Sequence, residues 1–323
     1  MSAAALMEAR DLNVHFRQHR TVARAVDGVS FEWRRGEILG VVGESGCGKS
    51  TLARALLGLI PPTTGAVSTN GTPVAGKTAL RELRRRVQMI FQDPYQTLNP
   101  RQRVATIVAE PLRVQDSGGG DREARVRRAM EDVGLEPEHF LDRYPHQLSG
   151  GQRQRVAIAA ALVLEPDGLI CDEPVSMLDV SVRAQILQVL IELRRRRELA
   201  MLFITHDLSL AWSLCDRLAV MYLGRIVEQG TAVDVIERPQ HPYTQALVAA
   251  VPVPSADARI REPLSGELPD ATNVPTGCRF HPRCPRRFGP CDSIDPPLLT
   301  TSSEGQLAAC LLHDPAHAPD AVA

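Results

Sequence analysis

Gly43-Glu44-Ser45-Gly46-Cys47-Gly48-Lys49-Ser50-Thr51 decides how this chain is read. The stretch fits G-x-x-x-x-G-K-[ST], the pattern of a phosphate-binding loop. Phosphate oxygens need many donors in a small concave space, and glycines let successive backbone N–H groups turn inward and approach closely. In such a loop Lys49 reaches the β- and γ-phosphates, and Ser50 offers its hydroxyl to Mg²⁺. The flanks agree with this reading. Ile38–Val42 is a short apolar run with the character of a buried strand, and Thr51 to Leu57 reads as a helix starting at the loop. A helix N-terminus adds partial positive charge beneath the phosphates. An ordinary Gly-rich turn would not need a strand before it and a helix after it. The stretch therefore predicts binding of a nucleoside triphosphate.

Composition sets the frame. The chain has 323 residues, 44% hydrophobic and 23% charged, as in a soluble globular protein of two domains or of one large domain with an extension. A net charge of −1 gives no global pull toward nucleic acid. Arg84–Arg86 and Arg194–Arg197 sit in helical patterns beside acidic residues and read as solvated faces. The longest apolar run, Val156 to Leu164, is far short of the ~20 residues a membrane span needs. The start, Met1 to Leu6, lacks the basic residues and long apolar core of a signal peptide. A phosphate-binding loop implies a compartment holding ATP or GTP, where the seven cysteines stay reduced rather than forming a disulfide framework.

Around the loop, residues 7–42 alternate in the manner of strands, with Leu12, Val14 and Phe16, then Val29, Phe31 and Trp33, on common faces. They predict a small antiparallel sheet, continued by turns and a hairpin over Thr63–Gly76. Residues 87–92 form an apolar strand ending in Gln92. Residues 93–165 turn helical, notably Val104–Leu112 and Arg122–Val133, with Gly118-Gly119-Gly120 as a joint. The apolar runs 167–171 and 199–204 restore strands, each followed by a polar cluster. Strands alternating with helices predict a parallel sheet that binds its ligand at the strands' carboxyl ends. From about residue 252 the prolines, among them Pro252, Pro254, Pro263, Pro269 and Pro275, forbid long helices and central strands. A boundary falls near residue 240.

Several residues could carry chemistry. Leu169-Ile170-Cys171-Asp172-Glu173 ends a strand in two carboxylates that point to opposite faces. Asp172 suits the Mg²⁺ shell, and Glu173 suits a group that orients or deprotonates the water attacking the γ-phosphate. His206 follows a second strand at the same predicted edge and reads as a γ-phosphate contact, although a lone His is more often structural. Gln92 closes a third strand, where an amide reaches both Mg²⁺ and water. In Leu148-Ser149-Gly150-Gly151-Gln152-Arg153, Ser149 suits an N-cap, the glycines bare the backbone, and Val156 starts a helix. This is a second helix N-terminus able to take an anion. It reads either as a capped helix alone or as a site serving another subunit's nucleotide.

The order GESGCGKST, Gln92, LSGGQRQR, LICDEP, Ser176-Met177-Leu178-Asp179 and His206 resembles the ATP-binding cassette (ABC) family over nearly all of residues 7–240. The resemblance implies an α/β P-loop NTPase fold: a RecA-like core with an antiparallel β subdomain and a helical subdomain over about 93–165. It implies a head-to-tail dimer with two ATP molecules held between the phosphate loop of one subunit and Ser149, Gly151 and Gln152 of the other. It also implies that Gln92 lies in the Q-loop, that His206 is the switch histidine, that Asp179 is the D-loop acid, and that Phe16 stacks on adenine. Ala160, where arginine is common, and Met177, where a small residue is common, depart from the pattern without removing a catalytic group.

A narrower resemblance lies in Gln92-Asp93-Pro94-Tyr95, Leu98-Asn99-Pro100-Arg101 and His241-Pro242-Tyr243-Thr244-Gln245-Ala246-Leu247. These look like the ATPase subunits of oligopeptide and dipeptide importers, a subfamily shared with nickel importers. The implied partners are a second ATPase subunit, copy or paralogue, two membrane permease subunits and an extracytoplasmic substrate-binding protein. The implied place is the cytoplasmic face of the membrane. A nickel or small-solute importer and a soluble ABC ATPase remain as alternatives.

The extension 241–323 carries Cys278-x5-Cys284-x6-Cys291-x18-Cys310 in sequence poor in core formers. Such segments often need a staple, and where thiols stay reduced a metal serves better than disulfides. The irregular spacing is not that of a zinc ribbon and suits an iron–sulfur cluster; Zn²⁺ and free thiols stay open. The tail resembles that of peptide-importer ATPases, some of which hold a [4Fe–4S] cluster. Cys47, Cys171 and Cys215 lie in core elements and read as packing residues.

Overall fold

A computed structural model describes residues 5–18, 21–115, 121–251 and 266–318. The expected joint at Gly118–Gly120, Met1 to Ala4 of the start, and Pro252, Pro254 and Pro263 lie outside the described residues. The chain forms two compact units, one of Met1–Met7, Trp33–Glu37 and Ser68–Leu202, the other of Glu8–Glu32, Ile38–Val67 and Phe203–Ala323.

In the first unit the strand Val87–Ile90 runs parallel to Gly168–Asp172, in register from Val87 opposite Gly168 to Ile90 opposite Cys171. Residues 200–202, the start of a strand that runs to Thr205, flank Gly168–Asp172 on its other side. Gly168–Asp172 is buried at all five positions, as a central parallel strand covered on both faces should be. Helix Gly150–Leu162 packs against helices Val104–Val114 and Arg122–Asp132, forming the expected helical region. Helix Val180–Arg197 ends in four arginines, which suit the negative end of its dipole, and Glu198 closes it in a left-handed conformation. The strand expected over 87–92 stops at Ile90, so Gln92 lies two residues beyond it.

In the second unit Ile38–Val42 is parallel to Arg217–Tyr222, from Leu39 opposite Arg217 to Val42 opposite Val220. Arg217–Tyr222 turns back as Arg225–Thr231 through Leu223 and Gly224, both at positive φ (42° and 82°). Two such residues make the tight turn whose twist matches the flanking strands. The tail strand Leu307–Ala308 then pairs antiparallel with Arg225–Thr231, and Leu299–Thr300 pairs with Leu307–Ala308. A separate sheet is built on the long strands Ala5–Gln18 and Thr21–Arg34 together with Thr64–Thr69. Along Thr21–Arg34, Val29, Phe31 and Trp33 are buried and alternate with exposed residues, as their spacing predicts.

Past helix Pro242–Ala249 the described residues of the tail form only three- and four-residue turns such as His281–Arg283 and Gly289–Asp292 and two two-residue strands. The tail is tied down by a buried carboxylate. Glu228, on Arg225–Thr231, accepts from Gln306 Nε2 at 2.6 Å, Gln240 N at 2.8 Å and His241 N at 2.9 Å. Burial raises the Glu228 pKa above its ordinary value, and those donors oppose the shift. His241 is fully enclosed, and burial pushes its pKa down to about 3. It is therefore neutral, and its Nδ1 caps helix Pro242–Ala249 by accepting from Tyr243 N at 3.0 Å.

Candidate functional site

The second unit holds the phosphate-loop sequence between strand Ile38–Val42 and helix Lys49–Leu56, which begins two residues earlier than its apolar pattern suggests. Gly43 has φ of 153° and Gly48 of 108°. A Cβ on Gly43 would stand 2.1 Å from Met221 O, and one on Gly48 would stand 2.0 Å from Ala25 O. Both places need glycine because other backbone crosses them, in addition to their positive φ. Lys49 is buried, and its Nζ donates to Gly43 O and Glu44 O, each at 2.8 Å. Two loop carbonyls thus hold the ammonium against the loop. Ser45, Gly46 and Cys47 complete the loop, and Ser50 and Thr51 form the first helical turn. Burial raises the Cys47 pKa, so this residue packs as a neutral thiol. Cys171, in the first unit, is pushed up to about 12 for the same reason.

Phe16, on strand Ala5–Gln18, is 42% exposed. His206 directly follows strand Ala200–Thr205, and Asp207 caps the next helix by accepting from Leu210 N.

The first unit brings together two residues 81 positions apart. Gln92 Nε2 donates to Glu173 Oε2 at 3.2 Å. Glu173 lies just past strand Gly168–Asp172 with φ of 46°, in the left-handed region where a non-glycine residue costs on the order of 1 kcal/mol. Asp172, the last residue of the strand, is 2% exposed.

Ser149 and Gln152 form a reciprocal capping box at the start of helix Gly150–Leu162: Ser149 Oγ accepts from Gln152 N at 3.3 Å, and Gln152 Oε1 accepts from Ser149 N at 3.0 Å. A Cβ on Gly151 would meet Val182 Cγ1 at 2.5 Å, so this glycine also serves close packing against helix Val180–Arg197. Asp179 caps that helix by accepting from Val182 N at 2.9 Å, and this bond, followed by one from Ser181 Oγ, holds its carboxyl below the ordinary range.

In the tail, Cys278, Cys284, Cys291 and Cys310 are free thiols that line one small cavity with Phe280, Leu311 and other residues. Burial pushes Cys278 up to about 12 and Cys310 up to about 11, and the neighbouring thiols of the set add to both shifts. Among the described residues, no three His, Cys, Asp or Glu side chains stand in a geometry ready to hold a metal ion. Two contacts on the phosphate loop had no signal in the sequence: Tyr243 Oη accepts from Glu44 N at 2.9 Å, and Arg283 grips the Glu44 carboxylate.

Residues 26–176 match the family described as ABC transporter, and residues 227–291 match the C-terminal region of oligopeptide/dipeptide transporters. The dipeptide transport ATP-binding protein DppF of Escherichia coli (strain K12) is 47% identical over 319 residues, covering 96% of this chain and 95% of that protein. The chain belongs to the ABC transporter family. The oligopeptide transport ATP-binding protein OppF of Salmonella typhimurium is 46% identical to this ABC ATPase, over 96% of this chain and 97% of its own. A putative peptide import ATP-binding protein of Brucella ovis is 45% identical over 96% and 99%. Among solved structures, cbiO1 of Clostridium perfringens, part of the ABC transporter complex cbiONQ, superposes with a TM-score of 0.64 at 29% identity, over 73% of this chain and 92% of that one. The cassette MJ0796, in a dimeric post-hydrolysis state with ADP and Pi, gives 0.63 at 27%, over 70% and 98%. The α/β ABC ATPase fold expected from the motifs is the one found.

Proposed function

We propose that this ABC ATPase hydrolyses ATP to energise import of peptides through a membrane transporter. The observation that carries the reading is the pairing, on one chain, of an ABC match over 26–176 with a peptide-transporter match over 227–291. The relatives named for peptide, dipeptide and oligopeptide import run nearly the full length of the chain. A nickel or other small-solute importer is less favoured by those names. We read residues 1–240 as the ATP-binding domain, with its helical part at about 93–165, and 241–323 as an importer-type extension.

In this reading Gly43, Ser45, Gly46, Cys47, Gly48, Lys49, Ser50 and Thr51 bind the phosphates, and Phe16 stacks on the base. Ser50, Gln92 and Asp172 each offer an oxygen of the hard kind that Mg²⁺ takes. Bound there, Mg²⁺ would neutralise charge on the phosphates. Glu173 accepts the proton of the attacking water, Gln92 helps to orient that carboxylate, and His206 contacts the γ-phosphate. A second ATPase subunit, copy or paralogue, supplies Ser149, Gly151, Gln152 and Asp179 to the nucleotide; the dimeric MJ0796 cassette supports such pairing. Ser149→Arg removes a cap worth about 1 kcal/mol and places a bulky cation at the helix start. ATP-driven dimerisation, followed by light scattering, should be lost while nucleotide affinity of the single subunit changes less than about threefold. A collapse of single-subunit affinity would mean that Ser149 acts on its own chain's nucleotide.

No helix among the described residues is long and apolar enough to cross a membrane. From the importer names of its relatives we place the chain peripherally, on the cytoplasmic face, against two permease subunits that receive substrate from an extracytoplasmic binding protein. A groove in the first unit supports this: Met89, Phe91, Ile107, Pro111, Val114 and Leu164 line it, with Phe91 37% and Val114 68% exposed. The test is co-expression with permease subunits of a peptide importer. The complex should assemble in membranes and take up labelled peptide in the presence of ATP. Val114→Asp should cut permease recovery severalfold while leaving ATPase activity of the free subunit within about twofold. Tight, steeply salt-dependent nucleic-acid binding without membrane association would overturn the assignment.

The four tail cysteines support a metal staple. Four thiols on one cavity with no disulfide among them are donors of the kind that a [4Fe–4S] cluster or Zn²⁺ takes, and either would have to draw them into a tighter set and replace their protons. A cluster so held would fasten the tail. Protein purified without oxygen should be brown, with iron and acid-labile sulfide in near-equal amounts, and Ser at any one of Cys278, Cys284, Cys291 or Cys310 should lower both. Zinc without iron would replace the cluster by Zn²⁺, and neither metal would leave free thiols.

A further inference from the structure

Glu44 is the second residue of the phosphate loop, and every polar group it owns is engaged within its own unit. Its N–H goes to Tyr243 Oη at 2.9 Å, and its C=O accepts from Lys49 Nζ at 2.8 Å. Its carboxylate takes both arms of one guanidinium: Arg283 Nη1 at 2.8 Å to Oε2 and Nη2 at 3.0 Å to Oε1. Arg283 comes from the tail, 239 residues away, and its side chain is only 6% exposed. A two-armed pair of this kind fixes orientation as well as distance, and burial on the arginine side shields it in part from solvent and salt, the Glu44 side chain being 27% exposed.

The arginine is itself held firmly. It closes the short turn His281–Arg283, directly before Cys284, where Arg283 N donates to Phe280 O at 3.0 Å. Phe280 is buried in an aromatic group, 5.3 Å from the Tyr222 ring edge-on and 5.4 Å from the Tyr243 ring. Tyr222 and Tyr243 rings lie 4.6 Å apart. The guanidinium lies 5.9 Å from the Tyr222 ring centroid, within reach of cation–π attraction. Core strand, importer-type helix and cysteine-bearing tail thus meet at one packed point behind Glu44.

We propose that Arg283 is a positioning residue for ATP binding: through Glu44 it holds the phosphate loop in the shape that receives the triphosphate. Glu44 belongs to the tight run from Gly43 to Gly48, so releasing its side chain frees the segment whose carbonyls hold Lys49. The ordering that Arg283 imposes in advance must otherwise be supplied by nucleotide binding, at the expense of affinity. The cysteine-bearing tail therefore contributes to the nucleotide site, not only to partner contacts. This proposal rests on the ATP-binding reading above.

The experiment measures ATPase kinetics and MgATP affinity on the full chain for Arg283→Gln, Glu44→Gln and the double variant. Each single change should raise KM and Kd for ATP roughly five- to tenfold with kcat within about twofold, and the double variant should be no worse than the weaker single, a coupling that independent effects do not give. Arg283→Lys keeps the charge but not the two-armed grip; it should fall between parent and Gln variant, and it stands in should Arg283→Gln fail to fold. Asp295→Asn is the control. It cuts another tie of the tail, the 2.6 Å pair with Arg225, which involves neither Glu44 nor Arg283, and should leave KM unchanged. Equal KM in parent and Arg283 variants, additive effects in the double variant, or an Asp295→Asn effect matching that of Arg283→Gln would overturn the proposal. A parent chain that neither binds nor hydrolyses ATP would instead overturn the reading on which it rests.

Discussion

Glu173→Gln turns over ATP at least about a hundredfold more slowly than the parent chain and binds nucleotide as well as before. The substitution keeps the side-chain volume and leaves an oxygen that can still accept from Gln92 Nε2, which donates to Glu173 Oε2 at 3.2 Å. It removes only the capacity to take a proton. The backbone test is independent. Glu173 sits at φ of 46°, and glutamine gains nothing there, so the melting temperature should not move. Glu173→Gly relieves the left-handed conformation and should stabilise the fold by on the order of 1 kcal/mol while being equally inactive. Turnover assay, nucleotide titration and thermal melt together separate chemistry from folding. Parent-like turnover in Glu173→Gln would remove Glu173 from the reaction.

Lys49→Ala should weaken MgATP binding by about a hundredfold or more. The Lys49 ammonium donates to Gly43 O and Glu44 O at 2.8 Å and is 5% exposed, so its charge is little screened and already aimed into the loop. Two charge-assisted hydrogen bonds to phosphate, each worth about 1.5–3 kcal/mol, account for that factor. Alanine also leaves the two carbonyls without this donor, which should lower the melting temperature by a few degrees. Titration with a fluorescent ATP analogue measures the first effect; a Kd within about threefold of the parent would place the triphosphate elsewhere.

What the sequence disclosed and what it hid follow from range. The phosphate loop, the capping box at Ser149 and the strand before Glu173 are local patterns, and each lies where its spacing predicts. Glycine at 43 and 48 was legible because no other residue could stand against Met221 O and Ala25 O. Boundaries were less legible: Gln92 sits past its strand because the apolar pattern continues through Phe91, one residue beyond the last paired position at Ile90. The hairpin Arg217–Thr231 was missed, although Leu223-Gly224 carried the turn signal, because leucine is rare at positive φ. The grip of Arg283 on Glu44 had no signal at all. Residues 239 apart share no periodicity, and an arginine between a proline and a cysteine looks like any surface charge.

The short tail strands have a consequence for how the chain survives alone in solution. Arg225–Thr231 is long enough to offer a row of open backbone donors and acceptors to any passing chain, and Leu307–Ala308 occupies part of that row, with Ala309 N donating to Val227 O at 2.8 Å just beyond it. Beyond it the sheet finishes in Leu299–Thr300, two residues only. An outermost strand so brief gives a stray β-segment little to add to, the same protection against aggregation that other proteins obtain with charges or bulges at a sheet's rim. A chain trimmed after the Pro242–Ala249 helix would lose that guard together with Arg283, so besides binding ATP more weakly it should clump, visible as turbidity at concentrations where the full chain stays clear.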